Sequence, residues 1–359
     1  MKRTSRIMST VLALIMVFGL SACAAPGGGG GGGAAAAPPA PAAGGGAAAP
    51  ADEAASADPV IIRLGHVLAA TSFFEIGAQD FSRRAYEISG GEVIVETFPG
   101  GVLGGERDLF ESLIMGTQDM MIISTASAGP FLPMIQVFDM PWLFRDRHHA
   151  RDVVDGPIGE EVMGMLEGLG VKSLGVWCNG FRHVYSNFPV RSPEDVAGRR
   201  IRTMGAPIHV AMFEAMGAMA TPMPFAELFI ALQQGTVDGA ENSVKVVDTD
   251  GLDEVATHLS FNGHVWNATP LLISMATWES LSPRHQEFIL QAAYETKMYL
   301  RDAVIELEEI SRNNLIERGM ILIPEEEMDF EAFRAATLSV YDDFADEIPP
   351  ELVERIRAY

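Results

Sequence analysis

Between Pro283 and Arg318 the chain runs for 36 residues with no glycine and no internal proline. Phe288, Ala292, Tyr299, Ala303, Leu307 and Ile310 recur there at helical spacing, and Ser282-Pro283 supplies a capping hydroxyl and a first-turn proline. At α-helical rise such a segment spans roughly 54 Å. It is longer than a single core of ordinary size, so the rest of the chain must be arranged along it rather than around it.

About 300 residues follow residue 59, more than one hydrophobic core usually organises, and this predicts two lobes. Strand and helix patterns alternate. Ile61 to Val67 reads as a strand, Phe74, Ala78, Phe81 and Ala85 form a helical stripe ended by Gly90-Gly91, and Glu92 to Phe98 and Asp119 to Ser124 read as further strands. The expectation is an α/β fold with a mixed sheet covered by helices in each lobe. Lobe I is placed at 60–179 plus 268–307, and lobe II at 180–267 plus 308–359, with the long helix crossing both.

Residues 179 to 243 carry the densest local signals. Ser192-Pro193-Glu194-Asp195 starts a helix, Gly198 stops it, and Arg200 to Met204 resumes as a strand. Pro207 opens a helix to Met216, a further helix runs from Phe225 to Gln234, and the strand Val237 to Ala240 delivers Glu241-Asn242 at its end. Ligands of open α/β sheets sit at the carboxyl ends of strands, so Arg182, Arg202, Asn242 and the Pro224-Phe225 corner can converge there.

This stretch resembles the solute receptors of TRAP transporters, the tripartite ATP-independent periplasmic uptake systems of the DctP type. The resemblance is carried by Gly180-Phe181-Arg182, the Ser-Pro-Glu-Asp run leading to Arg202, the corner Met223-Pro224-Phe225-Ala226-Glu227, and the run from Ala231 to Gly239. It extends more weakly over about 60–350, through Phe98-Pro99, Leu103-Gly104-Gly105-Glu106-Arg107, Gly116-Thr117-Gln118-Asp119-Met120 and Asp139-Met140-Pro141. Two departures stand out: Met204 where the family often has a proline, and Gly239-Ala240-Glu241-Asn242-Ser243 where it has a Gly-Gln-Glu-x-Pro run. The resemblance implies a two-lobe fold like that of periplasmic binding proteins, with a lobe-spanning helix. It also implies that Arg202 clamps a carboxylate, Arg182 adds a second cationic contact, Asn242 an amide donor and Phe225 an apolar wall. A guanidinium fork matches a carboxylate through two parallel hydrogen bonds, which suits those roles.

Lobe I should supply the opposite wall from the ends of its strands, with His66, Val67 and Ser124 as candidates by position. Trp177 precedes the crossing at Asn179-Gly180 and either lines the cleft or sits in the core; Trp266 and Asn267, at the return crossing, share that ambiguity.

The amino terminus bears on location. Lys2, Arg3 and Arg6 precede an apolar run from Ile7 to Leu20, the pattern of a secretory signal over residues 1–22. Leu20-Ser21-Ala22-Cys23 looks like a bacterial lipobox, which implies cleavage before Cys23 and lipidation of its thiol. Residues 24–59 are almost all Gly, Ala and Pro, a composition that buries no core and acts as a tether of roughly 30–36 Å r.m.s. reach. The chain carries a formal charge of −23, and loss of the signal's three basic residues brings the mature form near −26. A charge of that sign excludes nucleic acid as a natural partner and requires any bound acid to be held by local, desolvated cations. With Cys23 and Cys178 the only cysteines, and the first lipidated, no disulfide is available within the mature chain.

Other constellations carry less. Gly100 to Gly105 lacks the spacing of a phosphate cradle, His148-His149 is not a zinc-ligand pattern, and Ser127 misses the first glycine of a nucleophile elbow. No cofactor or metal is expected. The sequence therefore points to a non-catalytic, lipid-anchored extracytoplasmic receptor whose lobes close on an organic acid, C4-dicarboxylate-like or a sugar acid, and present it to separate membrane subunits that use an ion gradient. A receptor feeding a sensor kinase is the alternative. An extracellular enzyme is a third reading, opposed by the lack of a positioned nucleophile or acid–base pair.

Overall fold

In a computed structural model the chain is described over residues 58–359; the signal segment, Cys23 and all but the end of the Gly/Ala/Pro stretch lie outside the described residues. Within them nine strands form one sheet: β1 (Val60–Gly65), β2 (Val93–Phe98), β3 (Met120–Ile122), β4 (Val171–Ser186), β5 (Arg200–Thr203), β6 (Met219–Pro222), β7 (Gly239–Asn242), β8 (His258–Ser274) and β9 (Ile321–Ile323). The order is β2-β1-β3-β8-β4-β7-β5-β6, with β9 also paired to β8.

The long pair β4 and β8 explains why two sheets were expected and one is found. Both are rich in β-branched, aliphatic and aromatic residues, and they run antiparallel from Val171 opposite Ser274 to Ser186 opposite His258. β3 joins the last part of β8, at Leu271–Ile273, and carries β1 and β2 with it in parallel. β7 joins the last part of β4, at His183–Ser186, and carries β5 and β6. Each half is therefore a small α/β unit of the two-lobe fold, and the two halves share two continuous strands.

Pairing slips where the strands pass between the halves. Cys178 faces Ala268 and Phe181 faces Trp266, so Asn179-Gly180 oppose Asn267 alone. Such a bulge puts one extra residue in one strand and bends it. Gly180 sits there with φ +87°, a region that side chains with a Cβ avoid.

Helix α1 (Phe73–Ser89) begins at Ser72, whose hydroxyl accepts from the Glu75 N–H, and ends at Gly90 in the left-handed conformation. A Cβ at Gly77 would stand 2.7 Å from the Trp177 ring, so the glycine is what lets α1 press onto β4. Helix α2 (Glu106–Ile114) follows the Gly104-Gly105 turn. The long helix is present as Pro283–Glu317, capped by Ser282. Its buried face is set by Ile289, Ala293, Leu300, Val304 and Leu315, whereas Tyr299 and Ile310 are 44 % and 45 % exposed. Of the residues whose spacing marked the helix, Ala292 is buried and Phe288, Ala303 and Leu307 are partly buried, so the stripe overlaps the buried face at its edge.

Candidate functional site

Four strand ends meet at one cavity. Thr203 and Asn242 end β5 and β7 in one half of the sheet, while Gly65 and Ile122 end β1 and β3 in the other. A cavity of about 340 Å³ lies between them and opens into a cleft of about 1160 Å³ that shares Val67, Glu106, Arg202, Met204 and Phe225 with it. This is where open α/β sheets bind ligands.

Arg202, Arg182, Asn242, Phe225, Val67 and Ser124 all line this cavity. Arg202 projects from β5 with only 2 % of its surface exposed. Its Nε and Nη2 donate to the Met223 carbonyl at 3.1 and 2.8 Å, and its Nη1 is buried without a hydrogen-bond partner among the described residues. No carboxylate among those residues lies within ion-pair distance of it, and burial pulls the guanidinium below its ordinary pKa. The Phe225 ring centroid stands 5.9 Å from the Arg202 guanidinium carbon. An uncompensated buried cation is costly, and a ligand carboxylate would relieve that cost.

Arg182 has a different environment. It grips the Glu241 carboxylate with both Nε and Nη2, the latter at 2.9 Å from Oε1, and donates through Nη1 to Asn242 Oδ1 at 3.2 Å and Asn267 Oδ1 at 3.3 Å. Burial alone would lower the Arg182 pKa, but Glu241 outweighs it and holds the group above its ordinary value. Burial would likewise raise Glu241; Arg182, His209 and His264 outweigh it and hold that carboxyl well below the usual range. Behind Glu241, His264 Nε2 lies 3.2 Å from Oε2, and His209 lies 3.2 Å from the buried Asp139.

The remaining groups divide into donors and acceptors. Asn242 uses its oxygen on Arg182 and on the Ser243 N–H at 2.9 Å, which leaves its amide N–H₂ to donate. Ser124 Oγ accepts from Asn267 at 2.9 Å and retains its own proton for donation. Asn179 Oδ1 is buried without a partner and can only accept. Glu106 at the start of α2 accepts from the Ser124 N–H at 3.3 Å and from the Ser127 hydroxyl, with lone pairs left over.

Two expected wall residues are elsewhere. His66 is fully buried and turned to Glu75, its Nε2 2.9 Å from Oε2, because the first turn of α1 places that carboxylate beside it. Trp177 packs against Gly77 of α1 within the core, which resolves its ambiguity away from the cleft. Asn179, Asn267, Glu106, Leu68 and Phe74 take their place in the lining. Glu106 was detectable, since it opens a helix just after a strand end and a Gly-Gly turn. Asn267, left between cleft and core by the sequence, lines the cavity while Trp266 does not, and Asn179 follows from the bulge, which spacing alone does not reveal.

The model of the bacterial extracellular solute-binding proteins, family 7, matches residues 64–347. The 2,3-diketo-L-gulonate-binding periplasmic protein of Escherichia coli (strain K12) is 32 % identical over 290 residues, 80 % of this chain and 88 % of that protein. The crystal structure of a TRAP periplasmic solute-binding protein from Polaromonas sp. JS666, bound to D-erythronate, is similar at 35 % identity and a TM-score of 0.81, covering 83 % of this chain and 98 % of its own. The sugar acid binding protein of Advenella mimigardefordensis strain DPN7T, in complex with galactonate, shows 31 % identity and a TM-score of 0.81, covering 84 % and 98 %.

Proposed function

Because the chain belongs to the bacterial extracellular solute-binding proteins of family 7, as a receptor of the TRAP transporter type, we propose that it captures a hydroxylated organic acid and delivers it to membrane subunits for ion-gradient-driven uptake. The observation that carries this reading is the buried Arg202, whose Nη1 has no partner among the described residues. One carboxylate on the ligand satisfies it.

The rest of the cavity favours a sugar acid over a simple dicarboxylate. Arg182 is already neutralised by Glu241, so a second carboxylate finds no spare cation there. Asn179 Oδ1 and Glu106 are acceptors, which repel a second carboxylate and welcome hydroxyl protons. Relatives whose described ligands are diketogulonate, erythronate and galactonate support the same choice. In this reading the chain works at the outer face of the cytoplasmic membrane, tethered through a lipidated Cys23, and the lobes close on the acid by bending at the shared strands.

A thermal-shift panel tests it, with D-erythronate, galactonate, galacturonate, succinate and the amides of each acid on residues 52–359. Ligand at a hundredfold its Kd stabilises the folded form by about 2.7 kcal/mol. One of the hydroxylated acids should raise the midpoint and its amide should not. A shift with succinate alone would assign the site to C4-dicarboxylates, and conversion of the acid to a product would overturn the receptor reading.

A further inference from the structure

A second cavity sits on the other face of the crossing strands. Trp266 and Cys178 line this groove, while their chain neighbours Asn267 and Asn179 line the ligand cavity. The groove is an open depression between the Arg147–Asp155 helix and the middle of the long helix. Its floor is apolar, made by Val176, Trp177, Trp266, Leu300 and Val304.

The charges at its rim give the groove a ligand chemistry, above a floor that is itself buried. The indole nitrogens of Trp177 and Trp266 are both buried and both lack a hydrogen-bond partner among the described residues. Around them stand four cations, Arg147, Arg151, Lys297 and Arg301, in a chain whose overall charge is −23. Their carboxylate partners are fewer. Asp155 serves both Lys297, at 2.9 Å, and Arg301, while Glu308 serves Arg147 at 3.4 Å and is shared with Arg312. Arg151 has only a long contact of 3.9 Å to the exposed Asp152. Burial pushes Lys297 and Arg301 below their ordinary pKa values.

We propose that this groove is a second ligand site, for an amphipathic carboxylate whose anionic head meets the Arg301 and Arg147 rim and whose aliphatic body covers the apolar floor. Head oxygens accept from the guanidinium N–H donors of the rim, and the body covers the half-exposed Ile305 beside the buried Leu300 and Val304. A small polyhydroxy acid has no apolar body for that floor, so the two cavities select different molecules.

Sodium octanoate is the probe, titrated by calorimetry and tryptophan fluorescence into the full chain as exported by a bacterial host, with octylammonium as the charge-reversed control. The proposal expects saturable octanoate binding that survives Arg202→Ala, since that arginine belongs to the other cavity. It expects at least about fivefold weaker binding in Arg301→Gln and in Ile305→Asp, and octylammonium at least about tenfold weaker than octanoate. Ile305 is 52 % exposed, so its replacement leaves the fold intact, and Arg301→Gln leaves Lys297 on Asp155. Absence of saturable binding, loss of octanoate in Arg202→Ala with Ile305→Asp unaffected, or equal binding of octylammonium would each overturn it.

Discussion

Arg182 and Glu241 form a two-pronged ion pair in which neither side chain is more than 2 % exposed, and this separates the two arginines of the site into different roles. The Arg182 charge is met within the protein by Glu241, while Arg202 meets no carboxylate among the described residues. Removing one partner of a buried pair leaves the other uncompensated and costs about 3–5 kcal/mol. Glu241→Gln should therefore lower stability by about that amount in urea unfolding.

The same pair sets a pH dependence. The folded pKa of Glu241 lies well below its ordinary value, so the stability it contributes is complete above the unfolded value, near 4.5, and is lost as pH falls through the folded one. The stability gap between wild type and Glu241→Gln should stay constant from pH 7 to about 5 and narrow on further acidification. A gap that widens below pH 4.5 would contradict the assignment.

Gly180 is the backbone counterpart of that site. Its φ of +87° lies where a Cβ is strained, and an added Cβ would come within 3.3 Å of Lys245 Nζ and 3.5 Å of Glu308 Oε2. Gly180→Ala should lose roughly 1–2 kcal/mol in chemical denaturation. Because the residue lies in the bulge between the halves, the substitution should also reduce ligand affinity although it touches no ligand group.

In the proposed function, membrane attachment rests on a single thiol. Cys23→Ser should move the receptor from the membrane to the soluble fraction while the purified body keeps its ligand affinity. Unchanged fractionation would remove the lipid anchor from the proposed function.

Much of this architecture was legible because its signals are local. Ser192, Ser282 and the glycines after strands and helices mark element ends within a residue or two, and the strand ends then locate the cavity. What escaped depends on partners far along the chain. His66 stands just past the end of β1, as expected, but the sequence does not show that Glu75 turns back to hold it. Trp177 is drawn to the core by Gly77, a hundred residues earlier, and the neutralisation of Arg182 needs β4 and β7 to be neighbours before Glu241 can reach it. The continuous sheet arises likewise from pairing along β4 and β8, where sequence patterns suggested a break at Asn179-Gly180.

The central claim is that Arg202 is the cation that holds the ligand carboxylate, and calorimetry with the acid selected by thermal shift tests it most directly. Truncating one side of a buried charged contact costs about 2–5 kcal/mol, so Arg202→Ala should weaken binding by about 30-fold to several thousandfold. Arg202→Lys should recover little, because a single ammonium cannot reproduce the planar fork. Binding of the acid to Arg202→Ala within about threefold of wild type, by a protein of unchanged fold, would contradict the account.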